Sequence, residues 1–386
     1  MAVRHGYGKI AGTDALVFAY DTGDTRNSYK GEPTVNILSS YVNPTFENGS
    51  KSADGWTIDP KTNGSYEYYS ADSYSGNYSI KLTNSTVSDI AFWRVDIPVV
   101  SGVQYTVSVY AKNINCPTTP YFSGVNISGG AHSFTGISTT EWKRFTKTYT
   151  ASSTGNAQFY IRTSNDATQG SFLIDNFQIE QKSHATPFVN GTRSATQGLL
   201  DLTGNSSIDL TNVSFDSNAQ PTWDGTNDSV TAPHNSSTDI TGAEITLEAV
   251  FKPDSFGTAE AIIHKDLQYT LAFYPDGAYG EVTYADSSLW NYGNFGFHGV
   301  FLTGNYYHIV ATKKNGVVTI YSNSEIVISK SFGGSITSTS NSLYIGSYVT
   351  SYYSDGVLPV VKLYNRALTA DEVRNNYRHY KTRFNI

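Results

Sequence analysis

Cysteine is almost absent from this 386-residue chain: Cys116 stands alone. A single thiol excludes an intrachain disulfide and a thiolate metal cluster, and it reads as a small buried filler. Charge is scarce as well, at 15% of residues, and Lys+Arg 26 against Asp+Glu 33 leaves a net charge of −7. With no cationic excess to neutralise phosphates, nucleic acid is not an expected partner. Arg374, Arg378, Lys381 and Arg383 do gather, but Asp371 and Glu372 accompany them, which is the pattern of a solvated helix face. Long apolar runs are missing: no window approaches the ~18 residues of a membrane helix. The basic start, Met1 to Lys9, leads into no apolar stretch of a secretory signal. The expectation is a protein made in a cytoplasm, not exported by signal peptide, with no membrane partner. Triplets such as Asn48-Gly-Ser and Asn190-Gly-Thr then read as composition, not glycosylation. No Gly-x-Ser-x-Gly elbow, His-Glu-x-x-His pair or phosphate loop occurs, and the histidines are scattered without metal spacing.

Aromatics are abundant, at 14%, with 29 Tyr, 19 Phe and 5 Trp beside 33 Gly. Tyrosine-rich, polar and turn-rich composition over this length predicts an all-β protein of two or three domains. Apolar residues alternate at Tyr105, Val107, Val109 and Ala111, at Phe159 and Ile161, at Leu247, Ala249 and Phe251, and at Tyr307, Ile309 and Ala311. Each set marks one face of a strand. Asn315-Gly316 between two alternating runs predicts a tight hairpin, because both turn residues need positive φ. Ser322-Asn323-Ser324 predicts a second reversal, into Ile326-Val-Ile328. One helix is expected, at the C-terminus: Thr369 and Glu372 form a capping box, and Leu368 can staple the entry against Val373.

Residues from about Leu199 to Phe384 resemble the concanavalin A-like jelly roll of laminin-G/lectin type. The resemblance is carried by Trp223-Asp-Gly-Thr-Asn-Asp-Ser-Val, Ile245-Thr-Leu-Glu-Ala-Val-Phe-Lys-Pro, Tyr306-Tyr-His-Ile-Val-Ala-Thr, Leu343-Tyr-Ile-Gly and Leu363-Tyr-Asn-Arg-Ala-Leu-Thr-Ala-Asp-Glu-Val. The last of these is similar to the closing helix of such domains in tailed-phage structural proteins. Residues from about Asn36 to Val189 resemble a carbohydrate-binding module of the family 4/9/22 type, through Asn43-Pro-Thr-Phe-Glu47-Asn-Gly-Ser, Gly55-Trp56, Ser75-Gly-Asn-Tyr-Ser-Ile-Lys-Leu82, Gly102-Val-Gln-Tyr-Thr-Val-Ser-Val-Tyr110, Trp142-Lys-Arg-Phe-Thr and Phe172-Leu-Ile-Asp175-Asn-Phe-Gln-Ile-Glu180. In the phage lectin-like domains, a strand like Ala15-Leu-Val-Phe-Ala-Tyr20 is followed shortly by an Asp-Leu-Ser/Thr-Gly-Asn segment. Here its counterpart, Leu200-Asp-Leu-Thr-Gly-Asn205, comes about 180 residues later. The resemblance therefore implies two antiparallel β-sandwiches, one inserted in the other. The expected layout is an anchoring arm at residues 1–14, a lectin-like domain of 15–35 plus 190–386 with a short C-terminal helix, and a carbohydrate-binding-like sandwich at 36–189.

This resemblance implies a non-enzymatic phage virion structural protein, a decoration or fibre component of head or tail, with its arm held by other virion proteins at the particle surface. The alternatives are an adhesin for host or environmental polysaccharide and an accessory subunit of a polysaccharide-degrading enzyme. Glycan hydrolysis needs two carboxylates about 5–9 Å apart. The Glu-x-Asp-x-x-Glu strand of laminarinase-type glycosidases is missing, and Glu244 with Glu248 lies in a motif of the non-catalytic kind. Trp56, Trp142 and Trp223 sit at positions expected in the core. Trp290, Tyr292, Phe295 and Phe297 lie where Gly and Asn break the strand pattern between Tyr284 and His298, so they are the leading candidates for contact with a sugar or, in a homo-oligomer, another subunit. Tyr352 and Tyr353 are further candidates, Tyr66, Tyr68 and Tyr69 weaker ones, and Trp93 and Arg94 open a strand facing either way. The module resemblance also implies a structural calcium at Glu47 and Asp175, the competing reading being that both carboxylates bond turn backbone.

Overall fold

The computed structural model describes residues 11–49, 65–84, 92–163, 170–218, 220–255, 259–276, 279–288, 295–331 and 334–386, with backbone only at 92–93, 275–276, 279–281 and 295–300. The expected arm lies outside these residues up to Ile10. The protein is all-β with one C-terminal helix. It divides into two compact units, an inner one spanning Thr34–Arg193 and an outer one assembled chiefly from the segment ending at Pro33 and from Ser194–Asp216 and Gln220–Ile386.

After β1 (Leu16–Asp21), the inner unit runs through β2 (Thr34–Val35), β3 (Ser65–Tyr69), β4 (Ser79–Asn84), β5 (Phe92–Val99), β6 (Gln104–Asn113), β7 (Tyr121–Val125), β8 (Ile127–Ser128), β9 (His132–Ser133), β10 (Lys143–Ala151), β11 (Gly155–Arg162), β12 (Gly170–Glu180) and β13 (Thr192–Arg193). Among the described residues β3-β4-β12-β6-β10-β8 form one sheet and β5-β11-β7-β9 the other. Alternation sets the core between them. Tyr105, Val107, Val109 and Ala111 from the first sheet meet Val95, Ile97, Phe122, Phe159 and Ile161 from the second, and each is buried. Cys116 is buried in the same core. β2 and β13 pair antiparallel, Thr192 with Val35 and Arg193 with Thr34, so the unit enters and leaves through adjacent strands.

The outer unit continues with β14 (Ser214–Phe215), β15 (Pro221–Asp224), β16 (Val230–Ala232), β17 (Glu244–Pro253), β18 (Glu260–Lys265), β19 (Tyr269–Asp276), β20 (Tyr279–Asp286), β21 (Phe295–Phe301), β22 (Tyr307–Lys314), β23 (Val317–Ser322), β24 (Glu325–Ser331), β25 (Leu343–Ile345), β26 (Asp355–Tyr364) and α1 (Ala370–Phe384). Strands β14-β15-β26-β17-β22-β23-β24 make one sheet, which β1 joins through β26, and β16-β25-β18-β19-β20-β21 make the other. β1 is thus paired with the far end of the sequence, Tyr20 opposite Val361. Its other side is satisfied by the Leu200–Asn205 segment: Leu202 N–H donates to the Ala19 carbonyl at 2.8 Å, Ala19 N–H to Asp201 at 2.9 Å and Asn205 to the Val17 carbonyl at 3.0 Å. Lys30 and Gly31 N–H both donate to the Gly198 carbonyl, at 2.8 and 3.2 Å.

The local signals act as the sequence predicts. Asn315 and Gly316 have φ 47° and 78° and turn β22 into β23; Asn323 and Ser324, also at positive φ, turn β23 into β24. Trp223 is buried in the core. Thr369 and Glu372 close a reciprocal capping box, and Leu368 and Val373 share an apolar cluster. The stretch from Tyr284 to His298 differs from expectation. Strand β20 runs through Asp286 and β21 begins at Phe295, pairing Tyr284 with Phe295 and Val282 with Phe297. Tyr284 is fully buried, because an inward strand position takes its ring into the core while its hydroxyl donates to Asp286 at 2.7 Å.

Helix α1 covers the outward face of the larger sheet over a buried polar knot. Glu248, fully buried, accepts from Tyr364 at 2.8 Å, Asn376 at 2.9 Å and Lys362 at 3.2 Å, with His308 Nε2 at 2.9 Å. Asn376 in turn accepts from Ala11 N–H at 2.8 Å, and Asp14 pairs with Arg366 at 3.0 Å. The chain just before β1 is therefore fastened to the helix end of its own unit. Burial pushes the Glu248 carboxyl up, but the Lys362 charge and the hydrogen bonds of His308 and Tyr364 outweigh it and hold the group well below the carboxylate range. The folded state thus binds fewer protons than the unfolded one; the stabilisation is complete above the ordinary value of about 4.3 and declines as pH falls toward the folded value. Glu248→Ala strands buried Lys362 and His308, and urea denaturation should show a loss of about 3–5 kcal/mol at neutral pH that shrinks in acid. An unchanged midpoint would refute this role.

Candidate functional site

A two-sheet sandwich leaves two outward faces, and in the inner unit they differ. The outward side of the β6, β10 and β12 sheet is covered by its own chain. Residues 182–189 lie over one part: Thr106 donates to the Lys182 carbonyl at 2.8 Å, Thr148 to the Ser183 carbonyl at 3.0 Å, and Val189 N–H to Gln178 at 2.8 Å. Glu180 is sealed beneath, accepting from Thr34 and from Thr186, each at 2.8 Å. The loop from Asp72 to Tyr78 covers another part. Tyr74 stacks on Tyr110 with centroids 3.6 Å apart, Lys112 pairs with Asp72 at 2.7 Å, and Trp142 Nε1 donates to Asp72 at 2.9 Å.

Glu47 and Asp175 are what hold that loop down. Glu47 accepts from the Asn77 and Tyr78 N–H groups at 2.8 and 3.1 Å, and Asp175 from those of Tyr74 and Ser75 at 2.9 and 3.1 Å. Gly76 is required where they meet: its φ is 67°, and a Cβ there would strike the Glu47 carboxylate at 2.3 Å. Burial pushes the Asp175 carboxyl up to about 7, against its backbone hydrogen bonds and with help from the Glu47 charge. Among the described residues, no group of three His, Cys, Asp or Glu side chains is placed to hold a metal. Trp142 is corrected here as well. It is half-buried and outside the core, because its indole N–H finds an acceptor in the covering loop.

The outward face of the other sheet carries no such cover among the described residues. Antiparallel registers place Arg162 beside Tyr121, Tyr160 between Ser123 and Arg94, and Gln158 between Val125 and Asp96. Val125 is 54% exposed, and the Asp96, Gln158, Tyr160, Arg94, Arg162 and Tyr121 side chains all retain solvent contact. The Arg162 guanidinium sits 5.2 Å from the Tyr121 ring centroid and 5.8 Å from that of Tyr160. Arg94 is bound to Asp96 by two 2.7 Å hydrogen bonds, and the Tyr160 hydroxyl donates to Gln158. Two polar atoms on this face, Ser123 Oγ and Arg162 Nε, are buried without a hydrogen-bond partner. Aromatic rings beside guanidinium, amide and hydroxyl groups are what a sugar needs: stacking for C–H faces and hydrogen bonds for hydroxyls. Of these residues sequence reasoning reached only Arg94. The signal was available in the strand alternation, which puts Gln158, Tyr160 and Arg162 opposite the core positions Phe159 and Ile161.

Trp290 and Tyr292 lie outside the described residues, as does Trp56, while Phe295 and Phe297 are in β21. Tyr352 and Tyr353 follow β25, and the Tyr352 carbonyl accepts from Ala261 N–H of β18 at 2.9 Å. Tyr352 is 49% exposed and Tyr353 half-buried. Tyr352 sets its edge against Tyr348 at 5.8 Å, and Tyr348 stacks on His264 at 3.7 Å. Burial pushes the His264 imidazole down to about 4, so it is neutral at pH 7. Tyr66 is buried.

Residues 38–168 match the family model described as a carbohydrate binding domain, and residues 224–374 match that of the concanavalin A-like lectin/glucanases superfamily. The chain thus carries a carbohydrate-binding domain and a concanavalin A-like domain of the laminin G kind. No curated protein sequence matches it. Among solved structures it is similar to domain 4 of an extracellular arabinanase from Geobacillus stearothermophilus in complex with arabinotriose (16% identity, 48% of this chain and 93% of that one, TM-score 0.37). It is also similar to the carbohydrate-binding module of a Ruminococcus gnavus sialidase bound to α2,3-sialyllactose (12%, 34% and 81%, TM-score 0.30) and to a Trypanosoma rangeli sialidase (14%, 57% and 42%, TM-score 0.37). At such TM-scores these likenesses carry no argument.

Proposed function

We propose that this protein is a non-enzymatic glycan-binding protein that takes its ligand on the open face of the β5-β11-β7-β9 sheet. The observation that carries the reading is the pairing of Tyr121 and Tyr160 with the Arg162 guanidinium on a face of the carbohydrate-binding domain that the described residues leave uncovered. The non-enzymatic part is supported by Glu248, the nearest candidate for a catalytic carboxylate, being sealed under α1. The setting we propose is the surface of a tailed-phage particle, supported by the resemblance of the Leu363–Val373 motif to phage structural proteins; antibody labelling of purified particles decides that part. On a glycan array, Tyr160→Ala should weaken whatever binding the parent shows by about tenfold or more. Equal binding by parent and variant would remove the face from consideration.

A calcium ion at Glu47 and Asp175 belongs to the same proposal. A cation beside the raised Asp175 carboxyl would return it to the charged form and offset its repulsion from Glu47. Millimolar calcium should then raise the melting temperature over that in chelator, and Glu47→Gln should abolish the rise; identical melting with and without calcium would dismiss the ion.

A further inference from the structure

We infer that the ligand of this face is an acidic glycan, one whose sugars carry carboxylate or sulfate groups, and that Arg162 selects it; the inference rests on the face being the glycan site. The charges on the face decide the matter. Arg94 is neutralised by Asp96 through a bidentate pair. No carboxylate reaches Arg162 among the described residues, and its only contacts of note are the two tyrosine rings. The rings hold the guanidinium in place, so little entropy remains to be lost when an anion arrives. The side chain keeps solvent contact, and a carboxylate or sulfate oxygen is the acceptor that a guanidinium binds most strongly.

Two comparisons sharpen this. Arg144, on the opposite sheet, also has a buried Nε without a partner, but it donates to Ser108 at 2.8 Å and lies on the covered face, beside Tyr110. Of these two, Arg162 is the guanidinium on the uncovered face. The whole chain carries a net charge of −7, so an acidic polymer is not drawn to it by a general positive field. Attraction is local, which makes the preference a property of one side chain.

The test is binding of the full chain to matched pairs of polysaccharides: polygalacturonate and its methyl-esterified form for the carboxylate, chondroitin sulfate and desulfated chondroitin for the sulfate. The expected result is preference for the charged member of at least one pair, weakened by salt, reduced about tenfold or more by Arg162→Gln, and partly kept by Arg162→Lys. Which pair responds identifies the acidic group. Equal binding of charged and neutral members, with Arg162→Gln like the parent but Tyr160→Ala defective, overturns the inference while leaving the glycan face standing. Binding of neither these polysaccharides nor any glycan on an array removes both.

Discussion

A β-sheet has two faces, and a sandwich can turn only one face of each sheet inward. Every outward face must then be covered by the chain itself, satisfied by water or used on a partner. Most of what is particular to this protein follows from how four outward faces meet that demand. Helix α1 closes one in the outer unit. In the inner unit, the return segment and the loop pinned by Glu47 and Asp175 lie over another, and among the described residues nothing covers the face bearing Tyr121, Tyr160 and Arg162.

The covers are built differently because their chemistry differs. Under α1 the polar groups converge on one carboxylate, Glu248, and the surrounding contacts are apolar, among them Val250, Val360 and Tyr380. Over the inner unit the cover is held by backbone N–H groups that donate to side-chain carboxylates and by hydroxyls that donate to backbone carbonyls. Such a cover is directional, so it fixes where the loop lies, and that placement decides which aromatics are occupied. Tyr74, Tyr110 and Trp142 are engaged with one another and with Asp72, whereas Tyr121 and Tyr160 flank the Arg162 guanidinium.

The strands were legible in the sequence because alternation is a local property. Val107 and Val109, or Leu247 and Ala249, announce an inward face without reference to anything else, and Asn315-Gly316 and Thr369 with Glu372 announce a turn and a cap. The place of β1 was legible only through the resemblance of two distant segments, since the hydrogen bonds from Leu202 and Asn205 cross an intervening module. The open face was not legible. Nothing local separates Tyr160 from Tyr110, both tyrosines at outward positions of alternating strands; the difference is made by a loop that docks from elsewhere. Tyr284 was misplaced for the converse reason: the glycines and asparagines that follow it dilute the pattern, and the long pairing of β19 with β20 restores it.

The short ladder of Thr34–Val35 with Thr192–Arg193 bears on mechanics. A domain strung between two neighbours is stretched end to end whenever the molecule is pulled. The inner unit has both of its ends in one two-stranded ladder, so a pull on the chain at those ends acts across that ladder and not along the length of the unit.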